Sequence, residues 1–222
     1  MNWQVVTLTV KLATLTALIL VLGGVPLALW LAFSPRRWKF LVESVVAMPL
    51  VLPPTVLGFY LLVAFGTSTA LGRWYQRLTG STLAFTFTGL VVASVLYSLP
   101  FAVHPMAAGF RGVDRKLIDA ARTLGVNRAT IYRRVVLPLA WPGLLTGLVL
   151  SFAHTVGEFG VVLMVGGNIP GVTRTLAIDI YDQVQSLNYA AANQTALALL
   201  IFSFGLLCLV YGLNRSFLWS GR

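Results

Sequence analysis

Residues 5–33 read VVTLTVKLATLTALILVLGGVPLALWLAF, and Lys11 is the only charged residue among them. At about 1.5 Å of rise per residue, a helix of this length exceeds the ~30 Å hydrocarbon core of a bilayer. The run is too continuous for the alternating pattern of a membrane barrel, and an isolated span must satisfy its backbone hydrogen bonds internally. The stretch therefore predicts a membrane-spanning α-helix.

Four more apolar stretches of similar character follow along the 222-residue chain. Hydrophobic residues make up 58% of the chain and charged residues 10%, whereas roughly a quarter of a soluble domain is charged. Most of the surface must therefore face lipid. The sequence predicts an all-α membrane protein in which residues 1–222 form a single transmembrane domain with five helices. Their predicted bounds are about 5–33, 41–66, 82–110, 137–166 and 191–214.

The lysines and arginines around these stretches are unevenly distributed, and this predicts the orientation. Twelve follow the first, third and fifth stretches, and four lie toward the opposite side. The positive-inside rule places the twelve in the cytoplasm, with the N-terminus outside and the C-terminus inside. Topology thus accounts for the net charge of +10, and no nucleic-acid partner is required. The twelve are Arg36, Arg37, Lys39, Arg111, Arg115, Lys116, Arg122, Arg128, Arg133, Arg134, Arg215 and Arg222, and the four are Lys11, Arg73, Arg77 and Arg174.

Several functional classes find little support in the sequence. Cys208 is the only cysteine, so it cannot form an internal disulfide, and it is predicted to be a small buried residue. The N-terminus lacks a basic leader and a small-residue cleavage site, so the first stretch is expected to be a retained span. Walker sequences, glycine-rich phosphate loops, convergent triads and metal motifs are lacking, which argues against an enzyme and predicts no cofactor or metal.

The second apolar stretch contains a proline cluster at residues 48–55, MPLVLPPT. Proline removes a backbone donor and clashes with the preceding turn, so the cluster predicts a break within this span. Irregular backbone inside a membrane persists only where it is buried in protein or lines a cavity. Pro53, Pro54 and Thr55 are therefore candidate residues of a pathway, although proline kinks in membrane helices also occur without such a role.

The largest predicted cytoplasmic insert covers residues 111–136, between the third and fourth stretches. Asp114 is a suitable N-cap for a short helix that Gly125 would end, and Asn127 is a suitable N-cap for a second. The pair resembles a DNA-binding helix-turn-helix, but the insert is too short for the third helix and separate core of such a domain. The insert is predicted instead to form a rigid, protruding pair of helices to which a cytoplasmic partner binds.

The same insert is similar to the coupling signature of ABC importer permeases, Glu-Ala-Ala…Gly…Ile-x-Leu-Pro. The matching residues here are Asp119-Ala120-Ala121, Gly125, Val135 and Leu137-Pro138. Aspartate stands where glutamate is usual, and valine stands where isoleucine is usual. In that family the segment docks into a groove of the ATPase subunit. The resemblance implies a set of ATPase-coupling residues: Asp119, Ala120, Ala121, Arg122, Leu124, Gly125 and Pro138.

Four longer stretches extend the resemblance over nearly the whole chain, toward permeases for molybdate. They are residues 49–59 (PLVLPPTVLGF), 94–103 (SVLYSLPFAV), 151–163 (SFAHTVGEFGVVL) and 166–171 (GGNIPG). The resemblance implies a homodimer in a bacterial inner membrane, two ATPase subunits that bind ATP, and an external molybdate-binding protein. Permeases for sulfate and tungstate share parts of these motifs and remain alternatives. An intramembrane enzyme and a proton-coupled carrier remain alternatives of other classes.

Polar residues inside the predicted spans are the remaining candidates for function. Glu158 lies mid-span and His154 precedes it by four residues, so the two are predicted to share a helix face and to pair. Too few further ligands are suitably spaced for a metal site. Ser98, Ser151 and Thr155 are candidate donors along an oxyanion pathway, although such hydroxyls also serve helix packing.

Overall fold

The computed structural model describes the backbone of residues 2–219 and the side chains of residues 2–212. Every regular element in this range is a helix, as predicted. Arg222 lies outside the described residues, as does the side chain of Arg215, so neither tests the predicted orientation. The helices are α1 (Trp3–Phe33), α2 (Lys39–Val51), α3 (Pro54–Phe65), α4 (Ala70–Thr79), α5 (Phe87–Arg111), α6 (Arg115–Thr123), α7 (Arg128–Ile131), α8 (Leu137–Gly157), α9 (Gly160–Gly166), α10 (Leu176–Gln185) and α11 (Tyr189–Trp219).

Four helical segments are long and apolar enough to cross a membrane. They are α1, α5, the continuous segment Arg128–Gly157 and Tyr189–Gly212 of α11. Helices α2 and α3 pass the same test together, but they are bent by 111° at the break between them. The described residues therefore provide four candidate spans, or five when the bent pair counts as one, which agrees with an all-α membrane protein.

The break between α2 and α3 lies at the proline cluster, where it is predicted. Pro53 and Pro54 have no backbone N–H to continue the helix. A residue before proline is disfavoured in the helical region, and Leu52 and Pro53 adopt extended ψ angles of 133° and 136°. The new helix then begins at Pro54, where a missing N–H costs nothing because the first N–H groups of a helix have no internal partner.

A second break divides the predicted span 137–166 into two helices, α8 and α9. Glu158 leaves helical geometry with a ψ of 134°. The cause is not proline: Gly157 and Gly160 flank the break, and glycine weakens a helix by about 1 kcal/mol relative to alanine. Gly160 also permits close packing, because a Cβ at this position would lie 2.7 Å from Cβ of Pro54. The two breaks therefore lie directly against each other.

The packing of α5 against α8 depends on glycine. A Cβ on Gly143 would lie 2.6 Å from Cα of Gly109, and a Cβ on Gly147 would lie 2.6 Å from the carbonyl oxygen of Ala102. Small residues let membrane helices approach this closely, and packing is what holds such helices together. Large buried side chains from α1 and α5 complete this core, among them Leu20, Leu31, Val103, Met106 and Phe110.

Helix α11 leaves much of its apolar surface uncovered. Cys208 on this helix is exposed, which corrects the prediction that it is buried. Apolar side chains along the same helix are also exposed, including Leu200, Ile201 and Phe204. The apolar character of a membrane span reflects its surroundings in lipid or against another chain, so it does not imply burial within its own chain.

The close contact between α5 and α8 predicts a difference between two glycine substitutions. Gly143→Ala overpacks the contact and should lower the thermal unfolding midpoint of the purified protein by at least about 3 °C. Gly23→Ala is the matched control, because a Cβ there meets no atom within 4 Å and alanine favours the helix. Equal midpoints for the two variants in the same detergent would show that the glycine contact does not limit stability.

Candidate functional site

The two helix breaks border an open cleft of about 570 Å³. Pro54 and Thr55 contribute the first turn of α3, and Gly160 contributes the start of α9. The start of α3 has no side-chain cap, so its positive end is free to favour negative charge in the cleft. Of the predicted pathway residues, Pro54 and Thr55 thus line a cavity, and the exposed Pro53 adjoins it.

His154 is the main polar side chain in the wall of the cleft. Its ring stacks on Phe101 with 3.8 Å between centroids, and Tyr97 lies at 4.9 Å. Its Nδ1 is 2.9 Å from Oγ of Ser98, which leaves Nε2 as the ring nitrogen available to the cleft. Sequence reasoning missed Tyr97 and Phe101 as site residues, although both lie in the motif at residues 94–103.

The predicted pathway hydroxyls of Ser98, Ser151 and Thr155 lie behind His154 and do not line the cleft. All three side chains are buried. The Ser98 hydroxyl is 3.0 Å from that of Thr155, which in turn donates to the carbonyl oxygen of Ser151. These groups therefore form a hydrogen-bonded support that fixes the imidazole ring. In this structure their hydroxyls bond to neighbouring groups of α5 and α8, and contact with a passing anion stays a prediction.

The predicted pair of His154 and Glu158 is absent. Spacing of four residues brings side chains together only while the helix continues, and α8 ends at Gly157. Glu158 borders the cleft but is only 4% exposed, and neither of its carboxylate oxygens has a hydrogen-bond partner. The nearby Ser94 hydroxyl is also buried without a partner. An unpartnered carboxyl at membrane depth is costly, so Glu158 remains a candidate functional residue.

The segment between α5 and α8 has the predicted helix caps. Asp114 accepts a hydrogen bond from the Lys116 N–H at 2.9 Å, and Asn127 accepts one from the Thr130 N–H at 2.8 Å. Gly125 turns the chain with a φ of 74°, a conformation that favours glycine. The second helix is not separate as predicted, because it continues through a π-helical turn at Tyr132–Val136 into α8. The segment is thus joined rigidly to a span.

Helix α6 and its C-cap residue Leu124 present apolar and charged groups on their outer surface. Leu124 is 81% exposed, and Leu117 is half-exposed. Asp119 and Arg122 form an ion pair at 3.0 Å beside a cleft of about 330 Å³. Ala121 instead packs toward the protein core. Exposed leucines beside paired charges are suited to docking against another protein. Among the described residues, no group of three or more His, Cys, Asp and Glu side chains could hold a metal ion.

Comparison with known proteins gives extensive matches. A family model described as a binding-protein-dependent transport system inner membrane component matches residues 24–218. The chain is 50% identical over 210 residues to the molybdenum transport system permease protein ModB of Azotobacter vinelandii, which covers 95% of this chain and 93% of that protein. It is 39% identical over 185 residues to ModB of Escherichia coli (strain K12), which covers 83% of this chain and 81% of that protein.

Solved structures share the fold at low sequence identity. An inward-facing structure of the MetNI methionine ABC transporter matches with a TM-score of 0.73 and 18% identity, over 97% of this chain and 99% of that chain. A bacterial ABC transporter involved in the import of alginate matches with a TM-score of 0.76 and 16% identity, over 96% of this chain and 78% of that chain. The arrangement of helices agrees with the sequence matches, and the chain belongs to the family of binding-protein-dependent transport system inner membrane components.

Proposed function

We propose that this chain is the permease subunit of an ABC importer that moves molybdate into the cytoplasm. The observation that carries this proposal is 50% identity, over 95% of the chain, to a molybdenum transport permease. The chain is a multi-pass protein of the inner membrane and a non-enzymatic component of the transporter. ATP is bound and hydrolysed by a partner subunit.

The cleft between the two helix breaks forms part of the anion pathway. A transported dianion requires hydrogen-bond donors and a favourable field, but a site that is too tight would not release it. Thr55 and the N-terminus of α3 provide such groups, and His154 adds an Nε2–H donor when its imidazole is protonated, while Ser98, Ser151 and Thr155 hold His154 in place. Charged Glu158 would repel a dianion at low dielectric, so it acts as a wall residue and not as a ligand.

The segment 111–136 couples the permease to the ATPase, and α6 is its docking helix. This assignment is supported by the exposed Leu124, the turn at Gly125 and the rigid connection to α8. The excess of basic residues supports a cytoplasmic position for this segment and an outside position for the N-terminus. The working assembly contains two copies of this single-domain chain, two ATPase subunits and an external molybdate-binding protein. ATP binding closes the ATPase pair, which moves α6 and switches the access of the pathway.

Reconstitution tests the cargo and the energy source together. Proteoliposomes with the permease, its ATPase and its binding protein should accumulate molybdate only when ATP is on the cytoplasmic side, measured as internal molybdenum by mass spectrometry. Uptake of sulfate or tungstate in preference to molybdate would reassign the cargo. Uptake by the chain alone under a pH gradient would indicate a proton-coupled carrier, and turnover of a substrate without an ATPase would indicate an intramembrane enzyme.

Replacement of His154 tests the cleft. His154→Leu removes the ring nitrogen that faces the cleft, and the initial rate of molybdate uptake should fall about tenfold or more. His154→Gln keeps a donor and should retain part of the rate. Phe152→Leu serves as the control, because Phe152 lies against Phe202 of α11, and its uptake should stay within about twofold of wild type. A normal rate for His154→Leu would remove this cleft from the pathway.

Replacement of Leu124 tests the docking surface. Leu124→Asp puts a charge on an exposed apolar position, so recovery of the ATPase by co-purification should fall about tenfold or more and ATP-driven uptake should be lost. Leu124→Met keeps the apolar contact and should bind the ATPase as wild type does. The unfolding midpoint of the permease should be the same in both variants. Full ATPase recovery with Leu124→Asp would contradict docking through this part of α6.

A further inference from the structure

One face of α5 carries polar and aromatic side chains from the cleft to the end of the helix. At 3.6 residues per turn, Tyr97, Phe101, His104, Ala108 and Arg111 fall within an arc of about 80°. Tyr97 and Phe101 contact His154 at the cleft. His104 and Arg111 lie about 10 and 20 Å farther along the helix axis than Tyr97. This face therefore leads from the cleft toward α6.

A second cavity, of about 460 Å³, opens on this face between α2 and α5. Its polar lining consists of Glu43 and Ser44 from α2 and His104 and Arg111 from α5. Nη2 of Arg111 donates to Oε1 of Glu43 at 2.5 Å, and both side chains remain partly exposed. The proposed function does not otherwise use these four residues.

The position of His104 indicates that this face does not lie against lipid. The side chain of His104 is exposed within a candidate span and makes no hydrogen bond or ion pair with the other described residues. Ionisable side chains inside a membrane face a bundle interior or a water-filled cavity, and they mark substrate pathways. Because His104 shares its face with the residues that contact His154, the cleft and the second cavity lie one after the other along the same side of α5.

We propose that His104 and Arg111 form an exit site for the transported oxyanion and that Glu43 competes with the anion for Arg111. This inference rests on the proposed function. An anion that leaves the cleft first meets the imidazole of His104 and then the guanidinium of Arg111, whose paired N–H groups match the oxygens of a tetrahedral oxyanion. Ser44 adds a hydroxyl donor. After the anion has passed, the Glu43 carboxylate pairs with Arg111 again, so the exit site binds the anion weakly enough to release it.

Two charge-neutralising variants test the exit site, because each breaks the ion pair between Arg111 and Glu43 but only one of them removes the cation. In the reconstituted complex, Arg111→Gln should lower the initial rate of molybdate uptake about tenfold or more, since the cation that receives the anion is gone. Glu43→Gln leaves that cation in place and should transport at least as fast as wild type. Arg37→Gln, a basic residue in the turn before α2, is the control and should transport as wild type does. Equal losses in Arg111→Gln and Glu43→Gln would show that the pair only ties α2 to α5 and would overturn the proposal, as would a normal rate in Arg111→Gln.

Thiol labelling provides a test that does not depend on uptake. In the Cys208→Ser background, His104→Cys in the purified complex should react with an anionic, membrane-impermeant thiol reagent, and molybdate should slow the reaction while an equal ionic strength of chloride should not. Val103→Cys is the neighbouring buried control and should not react. Failure of His104→Cys to react, or reaction that molybdate does not slow, would overturn the exit site.

The two tests separate failure of the exit site from failure of the proposed function. If the wild-type complex carries sulfate and not molybdate, the cargo of the proposed function is wrong, and the same variants measured with sulfate decide the exit site. If the wild-type complex carries no oxyanion, the proposed function fails, and the exit site as a route for that cargo fails with it. Normal wild-type uptake together with equal rates in all variants rejects the exit site alone.

Discussion

Backbone that leaves helical geometry inside a membrane must be sheltered by protein or reach water, because hydrocarbon offers no hydrogen-bond partners. Here two such breaks, one between α2 and α3 and one between α8 and α9, pack against each other. Pro54 lies against Gly160, and a Cβ on Gly58 would lie 2.7 Å from Cβ of Met164, so α3 and α9 pack closely from their first turns. This contact brings the two irregular segments together at the border of one cleft. His154 lies beside this cleft because it is in the last turn of α8, which ends at the second break.

The parts of the fold that depend on local composition could be predicted from the sequence. Apolar runs predict spans, the prolines at positions 53 and 54 predict the first break, and Asp114 and Asn127 predict helix starts through their short polar side chains. The break at Glu158 could not be predicted in the same way. The break has no proline of its own, and Gly160 beside it packs against Pro54, more than one hundred residues earlier in the chain, a contact that the local sequence does not show.

The candidate site was less predictable than the fold, because a hydroxyl or aromatic residue in a span can either pack between helices or face a cavity. Ser98 and Thr155 are hydroxyl residues in spans, and only the packing of α5 against α8 decides that they support His154 and do not face the cleft. Spacing suggested a pair of His154 and Glu158, but spacing is informative only within a continuous helix. Tyr97 and Phe101 had no distinguishing pattern, since aromatic residues are common in apolar spans.

Chain connectivity relates the proposed exit cavity to α6, the proposed docking helix. Arg111 is the last residue of α5, and only two residues separate it from Asp114, the N-cap of α6. A displacement of α6 by a bound ATPase would therefore pull on the residue that holds Glu43. Because the turn at Gly125 joins α6 to α7, which continues through the π-helical turn into α8, the same displacement reaches the helix that carries His154. In the proposed mechanism the exit cavity and the cleft thus lie on α5 and α8, the two spans that this segment joins, so one rigid movement can open one while closing the other.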